Sequence, residues 1–306
     1  MFKPIQSGST IGVIAPAWIA SRPRLEQGIT YLKKRGFFVK RGKYLNKKRG
    51  YFAGSEEERV KDIQMMFSDP EISMIICTRG GWGSLRLLDR LDFDLIGNNP
   101  KPLVGYSDVT TLQLAIWEKC GLPSFSGPML AVEMADGIDA FTEKHFWGLV
   151  QNRRPEYIYR FEKTSSTVLK KGKASGTLLG GCLSLVSHLL GTSYTPDYSG
   201  SVLFLEDVGE KPYKIDRYLA HLKQAGIFDQ INALILGEFI DCEDKQNDKS
   251  FSLKDILLDY FSNAPFPVLM NFPYGHGEVK ITMPVGVTAQ IDTGKKLIKF
   301  ANPFLP

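Results

Sequence analysis

The sequence predicts an α/β protein: a parallel, doubly wound N-terminal sheet with helices on both faces, plus a smaller C-terminal α/β unit. Three observations predict it. Short apolar runs alternate with stretches of helical period between residues 10 and 119. Glycine-bearing turns follow two of those runs, at Arg79-Gly80-Gly81-Trp82-Gly83 and at Gly105. A polar stretch from Asn152 to Lys173 then interrupts the alternation, which restarts after it.

Taken in order, Thr10 to Ala15 reads as a buried strand, and Arg22 to Lys34 as a helix with Leu25, Ile29 and Leu32 on one face. Gly36 ends that helix and Phe37 to Lys40 is the next strand. Ser55-Glu56-Glu57-Glu58 is a capping box opening a helix through Val60, Ile63, Met66 and Phe67. Met74 to Thr78 is a buried strand that runs into the Gly80-Gly81 turn, with a short helix around Leu85 to Leu88. Pro102 to Val104, bounded by Asn98-Asn99-Pro100 and Gly105, is a further strand. Val109, Leu112, Ala115 and Ile116 then mark one face of a helix ending at Lys119.

Between Asn152 and Lys173 lie Thr164-Ser165-Ser166-Thr167 and Lys170-Lys171-Gly172-Lys173. Domain boundaries fall in such polar stretches, so the expected division is 1–160, a linker at 161–174, and 175–306. The second part opens on Gly176-Thr177-Leu178-Leu179-Gly180-Gly181 and an apolar helix from Leu183 to Leu190. A strand from Ser201 to Leu205 ends at Glu206-Asp207, followed by a helix from Ile215 to Gln224 and a strand from Ala233 to Leu236. Asp241 to Ser250 is a charged loop and Leu253 to Phe261 a helix. The tail from Val279 alternates enough for two or three short strands.

Of the 306 residues 43% are hydrophobic and 23% charged, which leaves room for two soluble domains. The net charge is +5, and the short basic runs Lys47-Lys48-Arg49 and Lys295-Lys296 are not interleaved with aromatics. That argues against nucleic acid, while a mildly basic surface suits a small anionic substrate. Cys77, Cys120, Cys182 and Cys242 are widely spaced with no C-x-x-C, which fits free thiols in a reducing compartment. Ile11 to Ile14 is too short for a signal h-region, and nothing approaches the ~20 apolar residues of a membrane span. A cytoplasmic location and no membrane partner are the expectation.

Ser107-Asp108 sits in the turn between a strand and a helix. A serine there projects its hydroxyl at the carboxyl end of the sheet, and the following backbone N–H points where an oxyanion would form. The second glycine of a G-x-S-x-G elbow is missing, since Val109 stands in its place. Ser107 and Asp108 also suit simple helix capping, Asp108 accepting a first-turn N–H. The Gly80-Gly81 turn offers either an oxyanion donor or only a tight turn, and its spacing fits neither a dinucleotide fingerprint nor a P-loop. A serine nucleophile needs a base and a carboxylate to orient it. His145, His188 and His221 fall inside helices and read as structural, whereas His276 lies in the glycine-flanked loop Tyr274-Gly275-His276-Gly277. Glu206 and Asp207, at a strand end, are the candidate carboxylates. Cys182, after Gly180-Gly181, is a lesser candidate nucleophile. No H-E-x-x-H or clustered ligand set suggests a metal, and no cofactor is expected.

These stretches together resemble the cytoplasmic L,D-carboxypeptidases (muramoyltetrapeptide carboxypeptidases) of bacteria nearly end to end. The resemblance rests on Ile14-Ala15-Pro16, Arg79-Gly80-Gly81-Trp82-Gly83, Gly105-Tyr106-Ser107-Asp108-Val109-Thr110 and Ser126-Gly127-Pro128-Met129. It extends to Leu203-Phe204-Leu205-Glu206-Asp207-Val208, Asp216-Arg217 and Gly275-His276. It implies a Rossmann-like N-terminal domain carrying Ser107 as nucleophile, and a C-terminal domain supplying His276 as base and Glu206 as its orienting carboxylate. The oxyanion hole would be the N–H groups of Asp108 and Gly81. Trp82 departs from the tyrosine associated with that motif. Family members are commonly homodimers, a property on which this sequence is silent.

The activity so implied is removal of the terminal D-alanine from murein tetrapeptides during cell-wall recycling, without metal or cofactor. A carboxypeptidase must also bind a free carboxylate, for which Arg79, Lys211 and Arg217 are cationic candidates. Relatives resembling the microcin C self-immunity protein put the same triad to work on peptide-linked acyl-sulfamoyl adenylates, where an aromatic such as Trp82 could stack a base. The rival of another class is a non-catalytic two-domain protein holding a small anion in its cleft.

Overall fold

Five strands of the N-terminal half, β1 (Thr10–Ile14), β2 (Phe38–Arg41), β3 (Ile72–Cys77), β4 (Leu103–Gly105) and β5 (Ser124–Ser126), pair in parallel. The computed structural model describes residues 2, 5–162, 164–244 and 251–304. Alternation along β3 explains the two-sided burial: Met74 and Ile76 join one apolar cluster, Ile75 and Cys77 the other. The helix Arg22–Lys34 lays Leu25, Ile29 and Leu32 on the first face, and Glu56–Ser68 covers the second with Val60, Ile63, Met66 and Phe67. The capping box of the latter is formed: Ser55 Oγ accepts from Glu58 N at 3.2 Å and Glu58 Oε2 from Ser55 N at 2.9 Å.

The second sheet comprises β6 (Glu156–Arg160), β7 (Thr167–Lys170), β8 (Lys173–Cys182), β9 (Val202–Val208), β10 (Ala233–Ile240) and β11 (Val268–Met270), completed near the C-terminus. Three strands follow: β12 (Met283–Val285), β13 (Thr288–Asp292) and β14 (Leu297–Ala301). The order is β6-β14-β13-β8-β9-β10-β11-β7, with β8 to β11 parallel and the flanks antiparallel. The fold is thus α/β with two mixed sheets. No helix among the described residues is long and apolar enough to cross a membrane.

Exchange of strands ties the halves together. β12 adds to β5 as an antiparallel edge of the first sheet, while β6, which ends at Arg160, pairs with β14 in the second. The stretch read as a linker, 161–174, holds β7 and the start of β8. The polar composition of these strands has a physical origin. β6 and β7 are the two outer edges of the eight-stranded sheet, and sheet edges carry charge, here the exposed Arg160 and the half-buried Lys170, which in sequence resembles a loop. Of the charged loop expected at 241–250, residues 245–250 lie outside the described ones. Strand β9 runs past the expected end at Leu205, so Glu206 and Asp207 are strand residues with opposite outlooks.

Candidate active site

The chain leaves β4 at Gly105 and turns through a short 3-10 segment, Ser107–Val109, into the helix Thr110–Cys120. Ser107 takes φ +62°, left-handed backbone that a non-glycine residue adopts at a cost of about 1–3 kcal/mol. Gly80 lies directly against it. A Cβ on Gly80 would stand 3.0 Å from Ser107 Cβ and 3.3 Å from Asp108 N, so the two turns are in close contact and any side chain at 80 would press on the serine turn. Asp108 does not cap its own helix as expected. Its buried carboxylate reaches the other turn and accepts from Gly83 N at 3.3 Å and Ser84 N at 2.8 Å, because the 3-10 segment aims the side chain away from the first helical turn. Burial pushes that carboxyl above its ordinary range, opposed by these hydrogen bonds and by the Arg59 charge.

Glu206 and His276 come from β9 and from the loop after β11. Glu206 Oε2 accepts from His276 Nδ1 at 2.7 Å, and the carboxylate has no exposed surface. Burial raises the Glu206 carboxyl above its usual range and the bond to His276 pulls it back. Asp207, one residue on, faces the opposite side and accepts from Ser184 N at 2.7 Å and Val208 N at 2.9 Å, at the head of the helix Leu183–Leu189. The period of two along a strand therefore gives one carboxylate to the imidazole and the other to a helix start. Gly275 makes the close approach possible: with φ +122°, its Cβ would lie 2.6 Å from Glu206 Oε2.

The two constellations meet through an aromatic contact. The Tyr106 ring, next to Ser107, meets the His276 ring edge-on at 5.0 Å between centroids. Ser107 and His276 are each half-buried, and no hydrogen bond joins them. With Nδ1 engaged by Glu206, the other ring nitrogen is the one left for proton transfer.

The remaining expected residues divide. Arg79 and Trp82, both half-buried, flank the Gly80-Gly81 turn, with the Arg79 guanidinium 5.4 Å from the Trp18 ring centre and Gly81 pressed on that ring. Lys211 is exposed and paired with Asp244 at 3.8 Å, and Arg217 lies over Tyr213. No hydrogen bond or ion pair links either to Ser107, Glu206 or His276. Cys182 is buried beside Asp207, and burial drives its thiol well above the ordinary range, the opposite of what a thiolate nucleophile needs. Among the described residues no group of three or more His, Cys, Asp or Glu is arranged to hold a metal.

Sequence reasoning missed the supports. Buried Arg59 donates from Nη1 to Pro16 O at 2.6 Å and Gly83 O at 3.0 Å, pinning the glycine turn from behind. Its only signal was an arginine on the apolar side of an amphipathic helix. Tyr106 stood only within the stretch that carries the resemblance, and Trp18 had no signal.

Comparison with known proteins covers both halves of the chain. The family model described as LD-carboxypeptidase N-terminal domain matches residues 11–127, and that described as LD-carboxypeptidase C-terminal domain matches 175–291. A probable murein peptide carboxypeptidase of Bacillus subtilis is 38% identical over 295 residues, covering 96% of this chain and 92% of the relative. The crystal structure of a muramoyltetrapeptide carboxypeptidase from Oxalobacter formigenes matches with TM-score 0.86 and 33% identity, over 95% of this chain and 98% of that one. The microcin C7 self-immunity protein MccF, in complex with aspartyl sulfamoyl adenosine, matches with TM-score 0.91 and 27% identity, over 100% and 99%. By both halves and nearly its full length, this chain belongs to the LD-carboxypeptidase family.

Proposed function

We propose that the protein is a serine carboxypeptidase that removes the terminal D-alanine from murein tetrapeptides, as part of cytoplasmic cell-wall recycling. The observation that carries this reading is the Glu206–His276 pair, 2.7 Å apart, set against the residue preceding a serine held at φ +62°. In this reading Ser107 Oγ attacks the carbonyl joining the L-centre of a diamino acid to D-alanine. His276 takes the serine proton and returns it to the departing amine, while Glu206 fixes the tautomer and stabilises the charged ring. The N–H groups of Asp108 and Gly81 receive the oxyanion. Arg79 is the cation for the substrate's free carboxylate, because it adjoins the glycine turn that touches Ser107; Lys211 and Arg217 lack that adjacency. The test is mass spectrometry of a muropeptide digest with wild type and Ser107→Ala. D-alanine release by wild type and its loss in the variant support the assignment; release that persists in the variant overturns it.

A second reading keeps the triad and changes the substrate to an aminoacyl-sulfamoyl nucleoside. It is favoured by the exposed aromatic pair Trp18 and Tyr51, ring centres 5.7 Å apart, beside the glycine turn, where a base could stack. Parallel hydrolysis assays on a tetrapeptide muropeptide and an aminoacyl-sulfamoyl adenosine separate the two.

A further inference from the structure

Behind Tyr106 lies a buried charged group that the mechanism does not use. The Tyr106 hydroxyl donates to Glu133 Oε1 at 2.7 Å, and Lys280 Nζ donates to the same oxygen at 2.6 Å. Glu133 Oε2 accepts from Met129 N at 2.9 Å, so both carboxylate oxygens are engaged. The Lys280 ammonium also stands 5.0 Å from the centre of the Tyr106 ring, whose edge contact with His276 has the same spacing. The lysine and glutamate side chains are 4% and 11% exposed, which is far too buried for an incidental surface pair.

The placement is specific. Tyr106 precedes the candidate nucleophile, Glu133 follows the Gly127-Pro128-Met129 turn, and Lys280 is four residues beyond His276 on the same loop. Lys280 N also donates to Thr142 Oγ1 at 2.9 Å, fastening that loop to the helix Ala140–Val150. The loop bearing the imidazole is thus tied to the N-terminal half through the contacts of Lys280 with Glu133, the Tyr106 ring and Thr142.

We propose that Tyr106, Glu133 and Lys280 are positioning residues that seat the His276 ring against the nucleophile turn, with the charges of Glu133 and Lys280 cancelling at the imidazole. This rests on the reading of His276 as the base. Of the other charged or titratable groups in this neighbourhood, Glu206 from β9 meets the ring directly, Glu238 from β10 lies against Gly277, the Tyr274 hydroxyl is bonded to Ser126, and Glu278 on the same loop is exposed. Lys280 already acts on this neighbourhood, since its charge opposes the upward push of burial on the Glu238 carboxyl. Removing Lys280 leaves an unbalanced negative charge that favours the protonated imidazole, and removing Glu133 leaves the reverse.

The experiment combines kinetics on a tetrapeptide muropeptide with an NMR titration of the His276 imidazole, assigned by its loss in His276→Gln. Glu133→Gln and Lys280→Met are each expected to lower kcat about tenfold or more with KM nearly unchanged. The titration midpoint and the acid limb of kcat/KM should move in opposite directions in the two variants, down for Glu133→Gln and up for Lys280→Met. Lys280→Arg should keep the wild-type midpoint. A merely structural role would lower thermal stability in both variants and leave the midpoints together. Midpoints that do not separate, or that move the same way, overturn the inference. Should wild type release no D-alanine, the proposed function fails, while the NMR titration still decides the clamp.

Discussion

Glu206 and Asp207 are neighbours on one strand with opposite duties: the first meets His276 Nδ1 at 2.7 Å, the second holds the N–H of Ser184 at 2.7 Å. Glu206→Gln keeps the shape and removes the charge that orients and balances the ring. By analogy with other triads, kcat/KM should fall about 10⁴-fold. Asp207→Ala strips the partner from the buried N–H of Ser184, a loss worth about 1–3 kcal/mol, so it should lower Tm by a few degrees. Its remaining folded fraction should keep kcat/KM within about tenfold of wild type. Kinetics and melting curves on the two variants check the division, and a reversed pattern would assign the orienting carboxylate to Asp207.

The same carboxyl makes a pH prediction. Burial raises the Glu206 carboxyl in the folded state, so the folded protein binds that proton more tightly than the unfolded chain. Its ionisation therefore costs stability, a cost absent below the ordinary glutamate value of about 4.3 and growing as pH rises from there through the raised value. Glu206→Gln removes the cost. Its Tm should match wild type near pH 4 and exceed it at pH 7.5 by a few degrees. A gap that is constant with pH would show that ionisation of this group does not govern the difference.

Gly275→Ala tests the close approach. The added methyl would sit 2.6 Å from Glu206 Oε2 in a backbone conformation that disfavours any side chain, so carboxylate and imidazole must part. A displacement near 1 Å costs about 10²-fold in rate. The variant should lose activity on that scale while still folding, as circular dichroism would show. Full activity would mean that the Glu206–His276 bond is dispensable.

What could be read from the chain follows from range. Ser107 stood out because strand, turn and helix are adjacent, and the periodicity on either side marks the junction. Glu206 and Asp207 could not be separated by spacing, since which face of β9 looks at the cleft depends on its pairing with β8 and β10. The partners of Tyr106 lie 27 residues away for Glu133, which is itself 147 from Lys280, and such contacts leave no local pattern. Asp108 has the residue type of a cap, and only the fold reveals that the Gly83-Ser84 turn is within reach. The strands at 156–160 and 167–170 were lost because an edge strand and a polar loop share a composition.

The backbone of Ser107 itself carries the last prediction. At φ +62° a side chain crowds its own carbonyl, a cost accepted so that the hydroxyl projects from the turn. Ser107→Ala removes the hydroxyl and keeps the strain, whereas Ser107→Gly removes both. Glycine also loosens the unfolded chain, which offsets part of the gain. The net should still be about 1 kcal/mol in favour of glycine, or roughly 2–4 °C in Tm for a chain of this size. Both variants should be inactive, so differential scanning calorimetry can isolate the strain from the chemistry. If Ser107→Gly melts at or below Ser107→Ala, the turn is not strained, and the conformation of the serine would need no functional explanation.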